Sequence, residues 1–244
     1  MEKARLDKII AGEGTYSRRE VRLLVRQGRV LVDGVPARSP EDKVVPEAVE
    51  IMVDGTVLHC RRYTWIMLHK PAGVLSATED GRGATVLDLL PPELRRRGLF
   101  PVGRLDKDTE GLLLLTNDGE LAQRLMHPRH HQPKTYDVLV RGTVPAAALA
   151  TMRRGMTLAE GEALRPVEVE SRMQANGHTR LRMVLHQGVN RQIRRMCRDL
   201  GLTILRLKRI RLGPLGLGDL PPGSCRFLSG TEVAALLQAA EIRR

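Results

Sequence analysis

The sequence predicts an α+β protein, with a small N-terminal module preceding a larger domain on a mostly antiparallel sheet. Three observations predict it. Helical apolar spacing and a short hairpin signal fill residues 1–61. Across residues 62–244, apolar runs of strand length are joined by hairpin-length gaps, with helical stretches grouped between them. A polar stretch ending in Arg61-Arg62 reads as a linker, so the domains are taken as 1–61 and 62–244.

In the first module Leu6, Ile9 and Ile10 share one helical face. Ser17, with Glu20 three residues on, is a capping-box pattern that opens SRREVRLLVRQ, and Gly28 is placed to end that helix. Val21, Leu24 and Val25 form its apolar stripe, leaving Arg18, Arg19, Arg22, Arg26 and Arg29 on the remaining surface. RVLVDGVPA alternates around Asp33-Gly34, a hairpin signal.

The second domain opens with a strand in YTWIMLHKP, ended by Pro71, and TVLDLLP reads as a short helix. GLLLLTND is a buried strand, DGELAQRLMH a helix, KTYDVLVRG a strand and VPAAALATMRRG a helix. VEVES and RLRMVLHQG are two strands that pair. NRQIRRMCRDLG is a helix, TILRLKRIRLG a strand and TEVAALLQAA a closing helix. No GxGxxG follows a strand and no P-loop is present, so no nucleotide cofactor is expected.

Composition narrows the partner. The chain has 244 residues with 40 basic and 28 acidic side chains, and 33 of the basic ones are arginine. A formal charge of +12 points to a polyanion, and no basic amphipathic membrane anchor is visible. Arginine forms paired bonds to phosphate. Two Phe, three Tyr and one Trp are too few for a base-stacking platform, so recognition through backbone and shape is expected. Residues 1–62 carry a net +2, whereas Thr179–Arg211 holds ten cations and only Asp199 against them. That stretch is the strongest electrostatic candidate for RNA contact. Three dispersed cysteines, no signal-like N-terminus and no long apolar run lead to the expectation of a cytoplasmic protein, and a monomer is expected.

Gly103–Leu125, GRLDKDTEGLLLLTNDGELAQRL, sets Asp106 and Asp108 beside Arg104 and Lys107 just before an apolar strand. A carboxylate in a basic groove repels phosphate, so it needs either a chemical reason or the reading of an ordinary polar turn. His127, His130 and His131 fall within five residues, but no further ligand completes a set at zinc spacing, so no metal is expected.

GRLDKDTEGLLLLTNDG resembles the catalytic-loop motif of the RsuA-like family of ribosomal RNA pseudouridine synthases. HKPAGVLSATED (69–80) resembles the family's leading segment, KTYDV (134–138) its tyrosine segment, and GVNRQIRRMCRDLG (188–201) its C-terminal basic motif. RLDKII (5–10), SRREVRLLVRQGRVLVDG (17–34) and DKV (42–44) resemble an S4 RNA-binding domain, which the family carries ahead of its catalytic domain. The resemblance implies isomerisation of uridine without a cofactor, with Asp106 as the catalytic aspartate, Tyr136 as the active-site tyrosine and Arg194 as the cation paired with Asp106. Expected RNA contacts are Arg5, Ser17, Arg18, Arg19, Arg22 and Arg29 in the first module, and Lys70, Arg104, Arg129, Lys134, Arg191 and Arg195 in the second.

The expected partner is ribosomal RNA or an assembling ribosomal subunit. HPRHHQPKTY is similar to the branch acting on small-subunit 16S RNA, whereas NRQIRRMC, with Arg194, is closer to branches acting on 23S RNA. The expectation is the small subunit, with 23S RNA as the alternative. A non-catalytic S4-type ribosome-assembly protein is the reading from another class, and the joint presence of Asp106, Tyr136 and Arg194 argues against it.

Overall fold

In a computed structural model of the chain, described residues are 3–13, 15–46, 48–58, 63–81, 83–95, 97–127 and 132–242. Arg61-Arg62 and the proposed boundary therefore lie outside the described residues, as do Arg129, His130 and His131.

The N-terminal module comprises β1 (Ala4–Arg5), α1 (Leu6–Gly12), α2 (Arg18–Arg26), β2 (Val30–Val32), β3 (Val35–Pro36), β4 (Lys43–Val44), β5 (Ile51–Val53) and β6 (Thr56–Leu58). The capping box forms: Ser17 Oγ accepts from Glu20 N and Glu20 accepts from Ser17 N. Gly28 takes φ +69° just beyond the helix, the left-handed conformation that glycine adopts without strain. The two helices close on a four-stranded antiparallel sheet around Leu6, Ile10, Val21, Val30 and Ile51.

The second domain carries β7 (Trp65–Lys70), α3 (Pro92–Arg95), β8 (Phe100–Pro101), β9 (Glu110–Thr116), α4 (Gly119–Met126), β10 (Lys134–Val140), α5 (Ala146–Arg154), β11 (Met156–Thr157), β12 (Ala163–Leu164), β13 (Glu168–Met173), β14 (Thr179–Leu185), α6 (Gln192–Asp199), β15 (Ile204–Leu212), β16 (Leu215–Gly216), β17 (Cys225–Phe227) and α7 (Gly230–Ala239). Its main sheet runs β13-β14-β10-β15-β9-β7-β17, with β16 on β15 and β8 on β9. Among the described strands only β15 and β9 pair in parallel, through Lys208 with Glu110 and Arg209 with Gly111. Helices α5 and α6 cover one part of the sheet through Leu149, Met152, Ile193 and Met196. Helices α4 and α7 cover another through Leu121, Leu125 and Leu236.

One element differs from expectation. TVLDLLP forms turns rather than a helix. Asp88 accepts from both the backbone N and the Oγ1 of Thr85, and Pro91 follows at once, so local side-chain bonds replace the helical ladder.

Candidate active site

The loop from Gly103 to Thr109 leads into β9 and carries Asp106. Three residues of the 69–80 segment hold it in place. Lys70, fully buried at the end of β7, donates from Nζ to the carbonyls of Pro71, Lys107 and Thr109, each at 2.9 Å. Gly73 N donates to the Lys107 carbonyl at 2.8 Å. Ser76 Oγ donates to the Leu105 carbonyl at 2.8 Å and accepts from Leu105 N at 3.1 Å. Both neighbours of Asp106 are thus tied down on the backbone. Burial pushes the Lys70 ammonium down to about 8, while the charges of Asp108, Asp106 and Glu110 act in the opposite sense.

Gly103 and Gly111 make the loop's path possible. Gly103, at φ +76°, lies beneath the Met126 side chain, whose sulfur would sit 2.7 Å from an added Cβ. Gly111, at φ +112°, lies where β9 meets β15, and an added Cβ would come within 2.2 Å of the Arg209 carbonyl oxygen.

Arg194 reaches the loop from α6. Its Nη2 donates to the Asp108 carbonyl at 2.9 Å and to Thr109 Oγ1 at 3.2 Å. Its Nε faces Asp106 Oδ2 at 3.8 Å, which is ion-pair range but too long for a hydrogen bond. That Nε is buried with no hydrogen-bond partner among the described residues. Tyr136, on β10, is half-buried and packs against both the α5–α6 core and a second core containing Leu105, Leu113 and Leu115. Asp106 keeps about a quarter of its side-chain surface open. The arrangement holds a partly open carboxylate beside an anchored cation, and Tyr136 packs against the core that contains Leu105, the neighbour of Asp106. Such a carboxylate can act as a nucleophile or accept a proton. Among the described residues, no group of three His, Cys, Asp or Glu side chains is placed to hold a metal ion.

The pattern of the RNA pseudouridylate synthase family matches residues 64–199, more than half of the chain. This chain belongs to that family. It is an RNA pseudouridine synthase, an isomerase, and the S4 domain pattern matches residues 4–49 ahead of the catalytic region. It is 40% identical to an uncharacterised RNA pseudouridine synthase of Bacillus subtilis over 95% of this chain and 98% of that one. It is 37% identical to the ribosomal large subunit pseudouridine synthase B of the same organism over 97% of both chains. A crystal structure of a pseudouridylate synthase superposes with a TM-score of 0.65 at 29% identity, covering 95% of this chain and 99% of the other. No helix among the described residues is long and apolar enough to cross a membrane.

Several expected RNA contacts of this synthase have other duties. Lys70 is not a phosphate ligand, because its three N–H groups are spent on buried carbonyls. Ser17 is used as the cap of α2. Arg195 is mostly buried and bonded to Glu160 and Glu162. Lys134 is half-buried and donates to the Gln132 carbonyl at 3.1 Å, and burial lowers its pKa with Arg209 adding to the effect. Arg29 forks onto Asp54 at 2.5 and 2.7 Å, whereas Arg5, Arg18 and Arg22 converge on Asp7 yet keep roughly a third to a half of their side-chain surfaces open. Arg19, Arg104 and Arg191 are exposed and have no side-chain partner among the described residues.

The basic stretch Thr179–Arg211 is not one surface. Arg180 pairs with Asp137, Arg206 with Glu110, and Arg198 with Glu160 and Asp199. Arg209 is buried and donates to the Leu112 carbonyl at 2.8 Å. Sequence reasoning missed Gly73, Ser76 and Thr109 as shapers of the site. For Gly73 and Ser76 the signal was the run of Lys, Pro and Gly before a Ser, which has meaning only once two distant loops are apposed.

Proposed function

We propose that this synthase isomerises a uridine of large-subunit ribosomal RNA, with Asp106 as the catalytic carboxylate, and that it belongs to the RsuA-like branch. The observation that carries the catalytic assignment is the convergence on one loop of an open Asp106 carboxylate and the Arg194 guanidinium that Asp108 and Thr109 anchor. In the reaction the N1–C1′ bond breaks, the uracil turns, C5 bonds to C1′, and the C5 proton leaves as N1 regains one. Asp106 acts at the sugar, either by attack at C1′ or by removal of the C2′ proton. Tyr136 stacks on the uracil, which must leave its helix to reach the cleft.

The small-subunit expectation rested on HPRHHQPKTY, four of whose residues lie outside the described ones. The choice of the large subunit is favoured by the relative named for that subunit, similar over nearly its whole length, and by Arg194 within NRQIRRMC. Tritium release from transcripts labelled at uracil C5 tests both parts. Release from 23S but not 16S transcript is expected, and none is expected from Asp106→Asn. Release from 16S alone would return the target to the small subunit, and full activity of Asp106→Asn would remove Asp106 from the chemistry.

A further inference from the structure

The S4 domain contains a carboxylate in an unexpected place. Asp7, in the first turn of α1, is completely buried beneath arginines that are themselves partly exposed. Three arginines surround it. Arg5 donates to both carboxylate oxygens, from Nε at 3.1 Å and Nη2 at 3.0 Å. Arg18 Nη2 donates to Oδ2 at 2.9 Å, and Arg22 Nε stands 3.8 Å from the same oxygen. Arg5 also donates to Glu41 at 2.8 Å. Burial by itself would raise the Asp7 pKa, yet Arg5 and Arg18 hold it below the ordinary range.

The local folding makes this convergence possible. The Ser17–Glu20 capping box fixes the start of α2, and residues four apart on a helix share a face, so Arg18 and Arg22 lie together over α1. Asp7 N is in turn bonded to the Pro40 carbonyl at 2.8 Å, which ties the start of α1 to the loop before β4. Arg18 and Arg22 leave about half of their side-chain surfaces in solvent. A guanidinium has five N–H donors in one plane, so gripping Asp7 by one or two still leaves an outward edge for phosphate.

We infer that Asp7 is a positioning residue for RNA binding, orienting the guanidinium groups of Arg5, Arg18 and Arg22 so that their outer edges meet backbone phosphates as one preorganised group. This rests on RNA binding by the S4 domain and not on which ribosomal RNA is the substrate. Free arginine side chains would splay apart by mutual repulsion and lose rotamer freedom on binding. Three cations around one buried anion are ordered before RNA arrives, and the group keeps a net positive charge.

The inference reverses the usual sign of a charge effect. Removing an acidic residue from a nucleic-acid-binding face ordinarily strengthens binding and steepens its salt dependence. Asp7→Asn in the full chain is expected instead to weaken binding to unmodified 16S and 23S transcripts roughly tenfold, with a salt slope smaller by about one. In an Arg18→Ala background the same change should have a much smaller effect, because Asp7 acts through that guanidinium. Binding that tightens or stays unchanged in folded Asp7→Asn overturns the proposal, as does an undiminished effect in the Arg18→Ala background. Should Asp7→Asn fail to fold, the charge-conserving Arg18→Lys is read the same way. A weaker complex is expected because an ammonium lacks the planar group that bonds Asp7 on one edge and leaves another for phosphate, and unchanged affinity would overturn the proposal. Loss of isomerisation with RNA binding intact would bear on the proposed function and leave this inference standing.

Discussion

Arg194 holds the backbone of the loop that carries Asp106 and at the same time points an unfilled Nε donor at the Asp106 carboxylate, 3.8 Å away. One side chain therefore both builds the loop and faces its acid. Hydrogen bonds of catalytic groups often shorten only when substrate binds. Arg194→Lys keeps the charge but loses the planar fork that spans Asp108, Thr109 and Asp106. Its single-turnover rate is expected to fall about 100-fold, roughly the scale of losing one positioned electrostatic group, with RNA affinity little changed. A rate near wild type would show that charge alone suffices.

Lys70 gives the loop a pH dependence. The ammonium has three donors for three carbonyls, whereas the neutral amine has two. Activity should decline as pH rises through about 8 and the loop loses a bond. Global stability should move the other way. The folded value of about 8 lies below the ordinary 10.5, so between them the unfolded chain binds more protons, and this group's contribution to stability rises across that window. A rate profile and a denaturant series over the same pH range check the two signs, with Lys70→Met removing both effects.

Gly111→Ala is expected to be severely destabilising. The added methyl meets the Arg209 carbonyl oxygen at 2.2 Å and the Arg209 nitrogen at 2.6 Å, and both are backbone atoms that cannot swing aside. Strain at φ +112° adds to the clash, so a loss of about 3 kcal/mol or more is expected. Urea unfolding of the full chain reads this directly. A midpoint unchanged from wild type would mean that β9 and β15 approach less closely than described.

Glu160 and Glu162 shield the cations of α6. Arg195 bonds to both carboxylates, and Arg198 donates to Glu160 at 2.8 Å. The double change Glu160→Gln, Glu162→Gln should free these arginines, tightening RNA binding and steepening its salt dependence. That sign is opposite to the one expected for Asp7→Asn, although both changes remove acidic charge. Filter binding across a salt series distinguishes them.

Local pattern was sufficient for much of the fold. The capping box of α2, the positive-φ Gly28 and the alternation of β14 each follow from interactions spanning a few residues. TVLDLLP was misread because its competing bond, Thr85 to Asp88, also lies within one helical turn, and helical spacing alone does not weigh it. The short edge strands β8, β16 and β17 were not legible at all. Two or three residues carry no periodicity, and only a neighbouring strand makes them strands.

The candidate site divides in the same way. Asp106, Tyr136 and Arg194 were marked by motifs along the chain, through their resemblance to the family's pattern. The destinations of the cations were decided by tertiary structure. A lysine or arginine looks alike in sequence whether it faces RNA, a carbonyl or a carboxylate. Lys70 became a buried clamp, Arg195 half of an ion pair and Arg5 a ligand of Asp7 because the fold brought residues 107, 109, 160, 162 and 7 to them. Sequence alone determined the family, the order of its parts and the overall positive charge. Only the folded chain determined which charges remain for RNA, since a charge is neutralised by what lies near it in space rather than along the chain.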